Sequence, residues 1–173
     1  MTRIGVFVCA CGANIAEKVD IPKVIAAISG LKDVVVAEQY KLLCSVEGRS
    51  YLEERIRQEK LTHVVIAACS PRDHLQTFMA VTEKAGVNPY MMQLVNIREQ
   101  CAWSTVSPSD ATAKAIRMVR GAIGRVRYQS PLKAREVSVD PDVLVVGGGI
   151  AGIESALSLA SEERKVYLVE RGV

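Results

Sequence analysis

The chain has 173 residues, of which 49% are hydrophobic, 24% charged and only 5% aromatic. That length suits one full domain and part of another, and the composition excludes a disordered, collagenous or charged solvating chain. With 22 basic against 19 acidic residues the net charge is +3, too even for nucleic acid to be the main partner, and no apolar run approaches the roughly 18 residues of a membrane span.

Met1–Val8 lacks the apolar region and cleavage site of an export signal and reads instead as the start of a fold, so the expected setting is the cytoplasm. Within it Ile4–Val8 is a continuous apolar run bounded by Gly12 and Asn14, the pattern of a strand buried on both faces. Asp20 then caps a helix with Pro22 in its first turn, Val24, Ile25 and Ile28 on one face, and Gly30 at its end. Asp33–Ala37 predicts a second strand, and 49–60 a helix with Leu52 and Ile56 inward. His63–Ala68 predicts the third strand. Ser70-Pro71-Arg72-Asp73 opens another helix in capping-box style, which ends at Ala85-Gly86. Pro89–Val95 is expected as a fourth strand, followed by a second capping-box pattern at Asn96-Ile97-Arg98-Glu99. A long helix from about Asp110 to Tyr128 carries Ile116, Val119, Ile123 and Val126 as its apolar stripe.

Strands and helices alternating at this spacing predict an α/β fold with right-handed crossovers and a parallel sheet, in which every strand-to-helix loop lies along one edge. All five cysteines fall on that edge. Cys9 and Cys11 end the first strand and Cys44 lies in the loop after the second. Cys69 ends the third strand, and Cys101 sits in the first turn after the fourth. Open α/β sheets bind ligands there. Thiols in a reducing compartment are not expected to pair as disulfides. Scattered core cysteines would have no reason to gather at one edge, so the placement predicts a shared metal site. Thiolates without a histidine partner suit zinc or an iron–sulfur cluster. The absence of paired short C-x2–4-C knuckles, and ligands drawn from four loops, favour a cluster of several irons. His74 reads as a surface or supporting group. Trp103 and Tyr40 either shield the site or simply pack. Lys114, Arg117, Arg120, Arg125 and Arg127 give the long helix a basic face, which is either solvated or docks an acidic partner.

Residues 131–141 read as a linker between a first domain, 1–130, and a second segment, 142–173. Asp142–Val146 is an apolar strand, and Gly147-Gly148-Gly149-Ile150-Ala151-Gly152 fits G-x-G-x-x-G ahead of a helix expected over Ile153–Ser161. Gly147 permits the tight turn, Gly149 lets the backbone approach a pyrophosphate, and Gly152 lets helix and strand pack closely. Lys165–Val169 is expected as the next strand, and Glu170 at its end is placed for the ribose hydroxyls of an adenosine. This is the opening βαβ unit of a dinucleotide-binding Rossmann domain. The expectation is a piece of a longer protein or a polypeptide whose flavin site another chain completes.

Val8-Cys9-Ala10-Cys11-Gly12, Leu43-Cys44-Ser45, Ala68-Cys69-Ser70-Pro71-Arg72, Asn96-Ile97-Arg98-Glu99-Gln100-Cys101-Ala102-Trp103 and the glycine motif, taken together, resemble the N-terminal part of the heterodisulfide reductase flavoprotein, the FAD-carrying member of an electron-bifurcating iron–sulfur complex. The resemblance covers the entire chain in order. It implies a Rossmann-like α/β domain holding a 4Fe-4S cluster, followed by the start of an FAD domain. It implies Cys11, Cys44, Cys69 and Cys101 as ligands, with Cys9 in reserve, and Gly147, Gly149, Ile150, Ala151, Gly152 and Glu170 at the FAD. It implies other subunits of such a complex as partners, including hydrogenase or formate dehydrogenase components. The rest of the flavin domain and the ferredoxin-type motifs of that family are missing. No residue reads as a general acid, base or nucleophile, so no catalytic residue is expected. A non-redox assembly or regulatory module with cysteine-bound zinc is the competing reading.

Overall fold

Ile4–Cys9 forms β1, and all six of its residues are buried. A strand apolar at every position needs cover on both faces, and the topology supplies it. α1 (Ile21–Ile28) follows, its first turn closed by the Asp20 carboxylate accepting from the Lys23 N–H at 3.0 Å. Next come β2 (Val34–Tyr40), α2 (Val46–Gln58), β3 (His63–Ala68), α3 (Pro71–Lys84), β4 (Met92–Asn96) and α4 (Pro108–Val126). The four strands form one parallel sheet in the order β2-β1-β3-β4. α1 packs with α4, and α2 packs with α3, so the sheet is the middle of three layers. This is the mixed α/β, Rossmann-like fold that the alternation predicts. The structure is a computed structural model that describes residues 1–172.

Several boundaries differ from expectation for local reasons. β2 runs on to Tyr40, because the β1 pairing extends to Cys9 opposite Tyr40. α2 begins at Val46, ahead of the expected start, because the Ser45 hydroxyl caps it by accepting from the Gly48 N–H at 3.0 Å. Pro89–Met91 is a 3-10 turn rather than strand, its start capped by Asn88. The capping pattern at Asn96 does operate, the Asn96 side chain accepting from the Glu99 N–H at 3.0 Å, but what it opens is a single π-helical turn, Arg98–Trp103. On α4 the buried stripe includes Val119, Ile123 and Val126 with Ala111, Ala115 and Ala122, whereas Ile116 is only partly buried.

The described chain divides into two compact units between Leu132 and Lys133, and residues 129–142 form no helix or strand. The second unit contains β5 (Val143–Val146), α5 (Ile150–Leu159) and β6 (Val166–Val169), with β5 and β6 paired in parallel. α5 starts inside the glycine motif instead of after it. Val173, the last residue of the expected second segment, lies outside the described residues.

Candidate functional site

The chain leaves β1 toward β2 on one side and leaves β3 toward β4 on the other. A crevice opens at the carboxyl end of such a sheet where the direction reverses, here between β1 and β3. Cys9 is the last residue of β1, and Cys11 precedes the 3-10 turn Gly12–Asn14. Cys69 immediately follows β3, so these three cysteines border the crevice from both sides. Cys44 and Cys69 share a local design. Each stands directly before a serine that caps a helix of 13 or 14 residues, Ser45 for α2 and Ser70 for α3. Both helix N-termini therefore face the thiol cluster, where their dipoles favour negative charge.

The turn that presents Cys44 is tightly specified. Leu43 is fully buried, and the Ser45 hydroxyl donates to the Leu42 carbonyl at 2.9 Å while capping Gly48. A Cβ on Gly48 would lie 2.0 Å from that same carbonyl oxygen, so only glycine lets the loop fold onto the helix. Gly48 does not stand out in the sequence, where the Cys44-Ser45-x-x-Gly48 spacing is the one available signal.

The thiols of Cys9, Cys11, Cys44 and Cys69 lie close enough for their charges to interact. Burial pushes the Cys9 thiol up, with Cys11 and Cys44 adding to the effect, and it contacts the Lys41 carbonyl at 3.9 Å. Burial likewise pushes the Cys69 thiol up to about 11, against the pull of the Arg98 guanidinium. Asn14 Nδ2 donates to Cys11 Sγ at 3.8 Å. Cys101 stands apart. It is fully buried with Sγ 3.4 Å from Met118 Sδ, and burial raises it against the influence of Lys114 and Arg117 on α4. Among the described residues no three His, Cys, Asp or Glu side chains meet as the ligands of a single metal ion. The donor set suits a soft metal and is spread over several loops. A multi-iron cluster accepts that arrangement more readily than one small ion does.

The aromatic and basic residues around the thiols have other partners. Tyr40 stacks on Tyr51 with ring centroids 4.5 Å apart, and Trp103 lies over the Arg98 guanidinium at 4.9 Å. His74 sits edge-on to Phe78. On the basic face of α4, Arg127 is not free. It is ion-paired with Asp33 at 3.2 Å and also meets the Lys32 carbonyl.

In the second unit Gly147 takes φ +110°, a left-handed conformation that glycine adopts without strain, and its N–H donates to the Val169 carbonyl at 2.8 Å. A Cβ on Gly152 would fall 1.8 Å from the Gly147 carbonyl oxygen, which explains the third glycine. A Cβ on Gly149 would meet nothing within 4 Å, so the approach to the start of α5 is open. Gly149 caps α5 without a side-chain hydrogen bond, leaving the N–H groups of Ile150, Ala151 and Gly152 in the first turn directed outward. Glu170 does more than its place at the strand end suggests. Its carboxylate accepts from the N–H groups of Gly148 at 2.6 Å, Arg171 at 2.6 Å and Gly172 at 3.2 Å. Those bonds, Gly148 foremost, hold it below the usual carboxylate range.

Residues 142–173, most of the second unit, match the FAD binding domain family. The chain as a whole is 45% identical over 170 residues to the A component of the Ferredoxin:CoB-CoM heterodisulfide reductase of Methanosarcina mazei, covering 98% of this chain and 21% of that protein. It is 44% identical to the first iron-sulfur A component of the CoB–CoM heterodisulfide reductase of Methanopyrus kandleri and covers 25% of it. It is 45% identical to the A component of the H(2):CoB-CoM heterodisulfide,ferredoxin reductase of Methanothermobacter thermautotrophicus and covers 26% of it. The chain thus spans about a quarter of the length of these relatives, and its similarity to the A components of heterodisulfide reductases extends along almost all of its own length. No helix among the described residues is long and apolar enough to cross a membrane.

Proposed function

We propose that this chain is an electron-transfer module of a heterodisulfide reductase-like complex, relaying single electrons between a 4Fe-4S cluster at the switch-point cysteines and an FAD seated on the Gly147–Gly152 turn. The observation that carries the reading is the placement of Cys9, Cys11 and Cys69 at the switch-point crevice of the sheet, with Cys44 near enough for its charge to reach Cys9 and Cys69. The cluster, when bound, supplies one-electron storage. The chain's own groups bind and bias it: thiolates from Cys11, Cys44 and Cys69 hold the irons, and the N-termini of α2 and α3 favour the negative charge there. Cys9 would supply the fourth thiolate unless the π-helical turn opens and frees Cys101 from Met118.

At the second unit, the outward N–H groups of Ile150, Ala151 and Gly152 bind the pyrophosphate. Glu170 orders the glycine turn through Gly148 and, with three acceptor sites taken by backbone N–H groups, keeps a lone pair on Oε2 for a ribose hydroxyl. The partners are the other subunits of such a complex, hydrogenase or formate dehydrogenase components among them, and protein that completes the flavin site.

Anaerobic purification tests the reading. A brown protein with iron and sulfide in equal amounts is expected, and Ser in place of Cys44 or Cys69 should lose or convert the cluster, because hydroxyls are poor soft-metal ligands. Comparing Cys9→Ser with Cys101→Ser identifies the fourth ligand. A colourless protein carrying stoichiometric zinc would overturn the reading in favour of an assembly or regulatory role.

A further inference from the structure

We infer that Arg98 is the positioning residue of the thiol site: its guanidinium braces the turn after β3 against the turn after β4, and its fixed positive charge holds the reduction potential of the bound cluster above the level its carboxylate neighbours would set. The inference rests on the cluster reading above.

The geometry begins at the backbone. The Ile97 N–H donates to the Ala68 carbonyl at 2.8 Å, so Cys69 and Arg98 are the next residues out from two hydrogen-bonded strand ends. From there Arg98 reaches back to the other turn, with Nη2 donating to Asp73 Oδ2, in the first turn of α3, at 2.7 Å. The same side chain grips Glu99 Oε1 through Nε at 3.1 Å and Nη2 at 2.6 Å. Glu99 is fixed in turn by the Asn96 cap, and its Oε2 is buried without a hydrogen-bond partner. Trp103 covers the guanidinium from outside. It is 58% exposed, whereas the Arg98 side chain beneath it is 22% exposed. One planar fork therefore joins the loop of Cys69 to the π-helical turn of Cys101. A lysine could supply the charge but not the two-sided grip.

The local charges then decide the electrostatic role. Asp73 and Glu99 set two negative charges against the one positive charge of Arg98. Partial burial under an indole weakens solvent screening of the Arg98 charge, whereas Asp73, 47% exposed, is screened more fully. Reducing the cluster adds one electron to a group already rich in thiolate charge, and a neighbouring cation favours that step.

The test is a redox titration of the full chain, with dithionite as the electron donor and the cluster followed by electron paramagnetic resonance. In Arg98→Gln the ratio of reduced to oxidised cluster at a fixed ambient potential should fall about tenfold, a downward shift of about 59 mV for one electron. Asp73→Asn should shift it in the opposite direction, and Arg98→Lys should keep a potential near that of the wild type while retaining less iron. Potentials unmoved in both Arg98→Gln and Asp73→Asn, at full iron content, would overturn the inference. If Arg98→Gln loses its cluster, Asp73→Asn decides alone, and an unmoved potential there also overturns it. Iron and sulfide in the wild type report on the cluster reading separately: their absence defeats that reading, whereas full content with fixed potentials defeats only the role of Arg98.

Discussion

Gly48 shows how a residue with no chemistry can control a site. Inside a helix, glycine to alanine normally stabilises by about 1 kcal/mol. Here the added Cβ would lie 2.0 Å from the Leu42 carbonyl, a backbone atom that cannot swing aside. Gly48→Ala should therefore give a net loss of about 1–3 kcal/mol by urea unfolding, since overpacking outweighs propensity. It should also displace Cys44. A stabilised variant would mean that the loop has slack the geometry does not show. Glu38 gives a second residue-scale case. It accepts from Arg55 at 2.6 and 2.9 Å and from the Tyr51 hydroxyl, tying β2 to α2 under the Tyr40–Tyr51 stack. Its Arg55 bonds hold the carboxyl below its ordinary value. The stabilisation is thus fully present above the unfolded value of about 4.3 and is lost as pH falls through the depressed folded value. Glu38→Gln should cost about 1–2 kcal/mol near neutral pH. The stability curves of variant and wild type should converge in acid, and a constant gap across pH would contradict the ion-pair account.

Among the elements, the ones that follow from strong periodicity or unambiguous caps are readable from residues alone. β3 is expected and observed over the same six residues, and the Ser70-Pro71 start of α3 is where its capping chemistry requires it. What escapes such reading depends on partners far along the chain. β2 gains its last residues from pairing with β1, which no local pattern encodes, and the π-helical turn after β4 uses the same Asn cap as an α-helix. The cysteine edge is legible because parallel topology alone places every such loop on one side. The separation of Cys101 is not, since it depends on the contact with Met118, seventeen residues away. α4 offers a prediction of its own. Gly121 and Gly124 lie within this 19-residue helix, and a Cβ at either would meet open space. Gly121→Ala and Gly124→Ala should each raise stability by about 0.5–1 kcal/mol, measured as a higher unfolding midpoint with unchanged slope. Either substitution proving destabilising would mean that something in solution packs on that face.

At the scale of the molecule the two units differ in how completely each buries its own apolar surface. The first unit encloses a continuous core, from Phe7 and Ile66 in the sheet to Leu52, Phe78 and Ile123 on its helices. Among its described residues the second has one parallel strand pair and one helix, and it leaves Leu144, Val146, Ile150 and Leu157 more than half exposed. A two-stranded sheet with an uncovered apolar face is marginal in water. Protease should therefore cut first in the irregular stretch 129–142 or beyond and leave the first unit intact. The same disparity governs the flavin. On the proposed reading the Gly147–Gly152 turn and Glu170 would address a pyrophosphate and a ribose, but a tight site buries most of its ligand, and the described residues of the second unit provide no wall for an isoalloxazine ring. These 173 residues by themselves should lose FAD on gel filtration, read as absent flavin fluorescence in the protein peak. Supplying in trans the part of a longer relative that follows its match to this chain should restore binding if that part covers the exposed strand and the exposed face of α5. Stoichiometric FAD retained by the isolated monomer would show that the glycine turn and Glu170 hold the cofactor without further walls.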